Sequence, residues 1–373
     1  VLSRFGARFS SKTKISDLTV SEQQLVEIAK SVSLDCKLLI LDEPTSSLTD
    51  KETNKLFEVV RSLKQEGISV LFISHRMPEI FAICDRVSVF KDGRFVCTMN
   101  TSDINSDDII RAMVGRELGN LYPPKSNCID KTKEILKVEN LSGKIFENIN
   151  FKLYKGEILG FAGLVGAGRS EIMMALCGLD SKSSGTVWIN GKEKVFKNYK
   201  SAVNEGICYL TEDRKKAGLF LDMSIKSNMT SANLKTVSKG IWIQEKLEKE
   251  LADNYVKELS IKIAGINYPI SSLSGGNQQK CLLGKWLSVK PKIIIVDEPT
   301  RGIDVGAKSE IHNLLRNLAN EGVGIIIISS ELPEVMGVSD RVIVIHEGHL
   351  AGEIDNRDMT EENIMKMASG ETA

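Results

Sequence analysis

The sequence lacks an excess of charge of either sign. Its 49 lysines and arginines balance its 49 aspartates and glutamates, so the whole chain has no basic surplus of the kind that holds a nucleic-acid backbone. Long apolar runs are also missing. Residues 293–296 and 325–328 are among the longest, far short of the roughly 20 that cross a bilayer as a helix. The seven cysteines, at 36, 84, 97, 128, 177, 208 and 281, contain no CxxC pair, and the four histidines form no cluster at zinc spacing. That argues against a disulfide framework and a zinc cage and fits a reducing compartment. No signal-peptide pattern follows Val1.

What is present is a repeat. With a constant offset of 255, residues 18–115 align with residues 273–370 without a gap. Leu41-Asp42-Glu43-Pro44-Thr45 falls on Val296-Asp297-Glu298-Pro299-Thr300, Ile73-Ser74-His75 on Ile328-Ser329-Ser330, and Asp85-Arg86-Val87 on Asp340-Arg341-Val342. Short β-branched runs alternate with helical stretches: strands are expected over 37–41 and 69–73, a helix over 53–64, and a hairpin turning at Asp92-Gly93. The pattern is that of an α/β domain with a largely parallel sheet. Mapping Glu134 back by the offset puts its counterpart about 120 residues before Val1. The expected organisation is therefore the carboxyl-terminal part of a first domain (1–118), a proline-broken linker (119–133) and a complete second domain (134–373), with a helical subdomain over about 215–290.

Three motifs carry chemistry. Gly163-Leu164-Val165-Gly166-Ala167-Gly168-Arg169-Ser170 follows an expected strand and opens an apolar helix, the setting in which backbone amides cradle a phosphate chain. Arg169 stands where a P-loop normally has lysine, and the Ser170 hydroxyl is available for magnesium. Residues 293–298 form a buried strand that delivers Asp297 and Glu298 to its carboxyl end, where ligands gather in parallel sheets. Asp297 is suited to orient magnesium and Glu298 to position the attacking water; Asp42 and Glu43 repeat the pair. Leu273-Ser274-Gly275-Gly276-Asn277-Gln278-Gln279-Lys280 opens a further helix. There Ser274 can donate to a γ-phosphate, and Gly275 and Gly276 let the backbone approach it. Gly276 is expected at a domain surface rather than in a core.

The last motif closely resembles the signature sequence of the ATP-binding cassette superfamily, which normally ends in glutamine where Asn277 stands. Tandem cassettes with arginine in the second P-loop, Glu212-Asp213-Arg214 after Tyr209-Leu210-Thr211, the run over 297–308 and Ser329-Ser330-Glu331-Leu332-Pro333-Glu334 resemble the ATPases of bacterial monosaccharide importers of the ribose, xylose and galactose or methylgalactoside type. Nucleoside importers share much of the pattern, and soluble tandem cassettes of translation or DNA repair share the domain.

The resemblance implies a P-loop NTPase fold of ATP-binding cassette type in two tandem copies, the first incomplete, with ATP and Mg2+ as ligands. It implies two composite sites, each combining the P-loop, Asp-Glu strand and switch histidine of one domain with the signature of the other. Departures cluster in one of them: Arg169 for lysine, Ser330 for histidine, Glu212 for the γ-phosphate-sensing glutamine, and Leu18-Thr19-Val20-Ser21-Glu22 as its partner signature. There Glu22 places a carboxylate where phosphate charge would sit. The opposite site joins Asp42, Glu43 and His75 to the signature Ser274, Gly275, Gly276 and Asn277, with Glu43 as the implied base and His75 as the γ-phosphate contact. Thr49 replaces the aspartate found at 304. His312, His346 and His349 read as surface or turn residues. The family further implies permease subunits in the membrane, a separate sugar-binding protein, and a peripheral position on the cytoplasmic face of the bacterial cell membrane. It implies no nucleic-acid partner.

Overall fold

The structure is a computed structural model that describes residues 9–33, 36–45, 48, 50–74, 76–91, 93–114, 122–125, 129–164, 166–182 and 184–370; His75 and Thr49 lie outside the described residues. Contacts divide the chain into two compact units, Val1–Leu118 and Gly119–Ala373.

In the first unit, helix α1 (Val20–Val32) precedes strand β1 (Leu38–Asp42), helix α2 (Asp50–Gln65) and strand β2 (Ser69–Ile73). The two strands pair in parallel, Leu39 opposite Val70 and Leu41 opposite Phe72. Alternation along β1 sends Leu39 and Leu41 into a core with Ile28, Leu56 and Leu63, while Leu38, Ile40, Leu71 and Ile73 remain exposed. Helix α3 (Met77–Ile83), strands β3 (Arg86–Lys91) and β4 (Arg94–Asn100) and helix α4 (Ser106–Val114) follow. The strands form an antiparallel hairpin.

The second unit begins with β5 (Glu134–Ser142), β6 (Ile149–Tyr154), β7 (Ile158–Gly163), α5 (Arg169–Leu176), β8 (Ser184–Ile189), β9 (Lys192–Lys194), α6 (Tyr199–Asn204) and β10 (Ile207–Leu210). A mainly helical segment comes next: α7 (Ile225–Thr230), α8 (Leu234–Val237), the ribbon β11 (Ser238–Lys239) and β12 (Trp242–Ile243), α9 (Glu245–Glu258) and α10 (Gly275–Leu287). The chain then returns to the sheet through β13 (Ile293–Asp297), α11 (Val305–Asn320), β14 (Gly324–Ile328), α12 (Leu332–Val338), β15 (Arg341–His346), β16 (His349–Asp355) and α13 (Glu361–Ala368). Six strands form a sheet in the order β10-β13-β14-β7-β15-β16, parallel except at β16. An antiparallel sheet, β6-β5-β8-β9, packs over one of its faces and buries Leu136, Phe151, Phe161 and Ile326 in one core. The helical segment packs on the other through Leu282, Ile294 and Ile327.

Every residue of β13 and β14 is buried, as expected for strands covered on both faces. Their repeat partners β1 and β2 bury one face only: exposed Leu38 and Ile40 are the counterparts of Ile293 and Ile295, which lie under the β6-β5-β8-β9 sheet in the second unit, and among the described residues of the first unit no such layer covers them. The copies nevertheless share fine detail. Thr45 Oγ1 donates to the Glu79 carboxylate at 2.8 Å, and Thr300 Oγ1 donates to that of Glu334 at the same distance.

Two expectations change. The described part of 119–133 is not a bare connector, since the Tyr122 ring lies 5.2 Å from that of His312 and Lys125 Nζ donates to Asn356 at 2.6 Å. His312 is a core residue rather than a surface one. It is buried, and its Nε2 lies 2.6 Å from Glu334 Oε1. His346, half-buried, contacts the Ala368 carbonyl at 2.8 Å, and His349, the first residue of β16, is exposed.

Candidate nucleotide-binding site

β7, an interior strand, carries Gly163 to the carboxyl end of the parallel sheet, and the turn beyond it opens α5. Gly166 and Gly168 lie at φ +84° and +97°, a region that residues with side chains seldom enter. A Cβ on Gly166 would meet nothing within 4 Å, so the turn faces open space. Arg169, the first residue of α5, is buried and does not lie free over this turn: its Nη1 donates to the Ser329 carbonyl just beyond β14 at 2.7 Å. Burial pulls the guanidinium pKa down, against the nearby carboxylates of Glu298 and Asp297.

Asp297 ends β13 and is buried. Its Oδ2 accepts from the Tyr209 hydroxyl at 2.5 Å. Burial raises its pKa, while hydrogen bonds from Tyr209 and Ser170 act against that rise. Its Oδ1 is buried without a hydrogen-bond partner. An orphaned carboxylate oxygen beside a serine hydroxyl is a donor set that fits magnesium, which takes one or two protein oxygens and keeps much of its water. Ser170 and Asp297 are thus brought together.

Glu298 follows with its backbone at φ +47°, and its repeat partner Glu43 has φ +44°. The two backbones are held alike: Glu298 N donates to Ile328 O at 2.8 Å and Glu43 N to Ile73 O at 2.9 Å. A left-handed glutamate in both copies is a costly conformation retained twice. The side chains differ in surroundings. Glu298 Oε1 accepts from the Ser330 backbone N–H at 2.6 Å, and burial pushes its carboxyl up to about 7. Glu43 and Asp42 are exposed at the end of β1.

The Glu298 shift has a measurable sign. Between its ordinary value of 4.5 and about 7, the folded state binds more protons than the unfolded one, so stability falls as pH rises through that window. Glu298→Gln removes this dependence. Its melting temperature is expected to gain on that of the unaltered protein between about pH 5 and about pH 8. A difference that stays constant across the range would contradict it.

The signature residues form a second centre. Ser274 is the amino-terminal cap residue of α10, but no side chain caps the helix. Asn277 Nδ2 donates to Ser274 Oγ at 3.0 Å, and Asn277 Oδ1 accepts from Lys262 N at 3.0 Å. The helix end is left to offer its backbone amides to an anion. The first copy differs. Thr19 Oγ1 accepts from Glu22 N at 3.4 Å while Glu22 Oε2 accepts from Thr19 N at 2.9 Å, a capping box that closes α1 with its own carboxylate. Glu22 therefore occupies the anion position from within.

Gly276 corrects an expectation. It is buried, and a Cβ there would lie 2.6 Å from the Ala307 Cβ on α11. Its first role is the close packing of α10 on α11, so a side chain at 276 strains the fold as well as the site. At Gly275 the neighbours are Gly302 O and Arg214 Nη2, each of which would lie 2.8 Å from a Cβ. Glu212 ends in an ion pair with Arg301. Tyr209, Arg214 and Arg301 are contact residues that no sequence motif singles out for that role. A tyrosine on a buried strand three residues before Glu212 is the one available signal, since a buried hydroxyl needs a partner.

A profile described as ABC transporter matches residues 146–301. Over 361 residues the chain is 54% identical to the ribose import ATP-binding protein RbsA of Ruegeria sp. (strain TM1040), covering 95% of this chain and 70% of that protein. It is 46% identical over 370 residues to the protein of the same name from Bacillus licheniformis, covering 99% of this chain and 75% of the relative. Among solved structures, cbiO1 from Clostridium perfringens, part of the ABC transporter complex cbiONQ, superposes with a TM-score of 0.53 at 25% identity, over 62% of this chain and 93% of that one. The ADP conformation of MJ1267, an ATP-binding cassette of an ABC transporter, superposes with a TM-score of 0.54 at 21% identity, over 64% and 99% of the respective chains. With the glycine turn, the Asp-Glu strand and the signature in place on this fold, the chain belongs to the ABC transporter family of ATP-binding, ATP-hydrolysing subunits, in the group of the ribose import ATP-binding proteins.

Proposed function

We propose that this chain powers monosaccharide uptake by an importer, at the cytoplasmic face of a bacterial cell membrane, beneath permease subunits and a separate sugar-binding protein. The observation that carries the reading is the contrast between the two signature helices. α1 is closed by Glu22, whereas α10 is open at Ser274. On the family resemblance, the set suited to hydrolysis is Asp42, Glu43 and His75 of the first copy taken with the open signature Ser274, Gly275, Gly276 and Asn277 of the second.

In that site Glu43 holds or accepts a proton from the attacking water, and the open end of α10 stabilises phosphate charge as it develops. The γ-phosphate contact falls to His75 by the family resemblance alone, since that residue lies outside the described ones. In the second copy Gly163, Gly166 and Gly168 present backbone to a nucleotide, and Ser170 and Asp297 would hold magnesium, the role Asp42 would have in the first copy. When bound, magnesium supplies neutralisation of phosphate charge. Arg169, spent on the Ser329 carbonyl, and Ser330, standing where the first copy has histidine, make this a site that binds and orders nucleotide more than it turns it over.

The identity of the relatives favours ribose as the first sugar to test. The assay is ATP-dependent uptake into vesicles carrying the intact ATPase subunit, its permease and its binding protein, with ribose, galactose, xylose and a nucleoside offered separately. Uptake of a monosaccharide is expected. Uptake of the nucleoside alone would move the protein to the nucleoside importers, and no ATP-dependent uptake of any of them would overturn the reading.

A further inference from the structure

Three loops of the second unit meet at one point. The loop after β10 supplies Arg214, whose Nη1 donates to the Arg301 carbonyl at 2.8 Å and whose Nη2 donates to the Gly302 carbonyl at 3.4 Å, both on the loop after β13. The same β10 loop supplies Glu212, which pairs with the Arg301 side chain. The amino end of α10 approaches through Gly275, where any Cβ would sit 2.8 Å from Gly302 O and from Arg214 Nη2. Glycine at 275 is thus required by this junction within the unit itself. The repeat supplies an independent observation. The counterparts of Gly275, Arg301 and Gly302 in the first copy are Val20, Ser46 and Ser47. Three residues that meet at one junction differ together between the copies, which marks them as one device rather than three accidents.

We propose that Glu212, Arg214 and Arg301 form a latch that makes the β10 loop, the β13 loop and the amino end of α10 move as one body. A displacement imposed on the β10 loop then reaches the turn at Ser274 to Asn277 directly. The Glu212 and Arg301 side chains are 42% and 66% exposed, and such a pair contributes little by itself. The two carbonyl bonds of the planar Arg214 fork hold the junction, and the ion pair fixes its register. Resting on the importer reading, the latch couples the permease to the open signature; Arg214 and Arg301 are positioning residues, not catalytic ones.

The test uses the intact ATPase subunit with its permease in lipid vesicles, MgATP as the probe, and the ratio of hydrolysis with permease to hydrolysis without it. Arg214→Ala removes both carbonyl bonds and is expected to lower that ratio about tenfold while the permease-free rate stays within about threefold. Arg301→Glu sets like charges together and is expected to lower the ratio by about as much. The double variant Glu212→Arg/Arg301→Glu, with the pair reversed, is expected to recover it to within about threefold of the unaltered protein. A purely structural role would lower both rates together and leave the ratio unchanged, which would overturn the latch. Normal stimulation of the unaltered subunit with no recovery in the double variant would do the same. An unaltered subunit indifferent to the permease would overturn the importer reading along with it.

Discussion

Glu43→Gln in the intact ATPase subunit, assayed with its permease, is expected to lower ATP turnover at least about a hundredfold, equivalent to about 2.7 kcal/mol of transition-state stabilisation. Glu298→Gln is expected to lower it by less than about threefold on the same scale. Both glutamates sit on the same left-handed backbone at the end of equivalent strands, with φ +44° and +47°, so backbone geometry does not separate them. Their surroundings do. Glu298 is buried, accepts from Ser330 N at 2.6 Å, and has Arg169 beside it anchored on Ser329. With arginine in place of the P-loop lysine and serine in place of the switch histidine, that copy is badly equipped to hold a γ-phosphate against an attacking water. Glu43 belongs to the copy that retains histidine at 75. Equal losses from the two substitutions, with both proteins folded, would mean that both sites turn over.

The strands are the most legible part of this molecule because their residues are buried on one or both faces. Expected strands over 37–41 and 69–73 are observed at Leu38–Asp42 and Ser69–Ile73, and the hairpin after Asp85 at Arg86–Lys91 and Arg94–Asn100. The α/β fold and the Asp297 and Ser170 pairing follow from the same strand-then-turn logic. What the sequence conceals is where side chains end up. Arg169 reads as a phosphate ligand by position, yet a buried guanidinium takes the nearest carbonyl it can satisfy, that of Ser329. Gly276 reads as a surface glycine because signatures face a partner, yet α11 lies against it. Glu22 illustrates a missed local rule. Thr19-x-x-Glu22 has the spacing of a capping box, and the carboxylate read as facing a phosphate is turned onto its own helix. The contacts of Arg214 with residues 301 and 302 join segments 87 and 88 positions apart, and no local pattern carries that.

Because residue 277 is the repeat partner of Glu22, the closure of α1 can be moved onto α10 by one substitution. In Asn277→Glu, Ser274 and the new carboxylate are placed at the cap and third helical positions, as Thr19 and Glu22 are in α1. A capping box contributes on the order of 1 kcal/mol to a helix. The bonds lost are those from Lys262 N and to Ser274 Oγ, each also about 1 kcal/mol. The fold is therefore expected to melt close to the unaltered protein. Turnover is not: a carboxylate on the amides of the helix end repels the phosphate charge they would otherwise stabilise, and the expected loss is about a hundredfold or more. This change separates fold from function more cleanly than any side chain at Gly276, which would also collide with Ala307. The reciprocal change, Glu22→Asn, opens α1 and is expected to cost about 1 kcal/mol of first-unit stability with little effect on turnover, since the second copy still carries Arg169 and Ser330 in place of the lysine and histidine. Melting curves and ATPase rates on both variants of the intact subunit decide the matter. An Asn277→Glu protein that stays folded and hydrolyses ATP at the normal rate would show that the open end of α10 is not where phosphate charge is met.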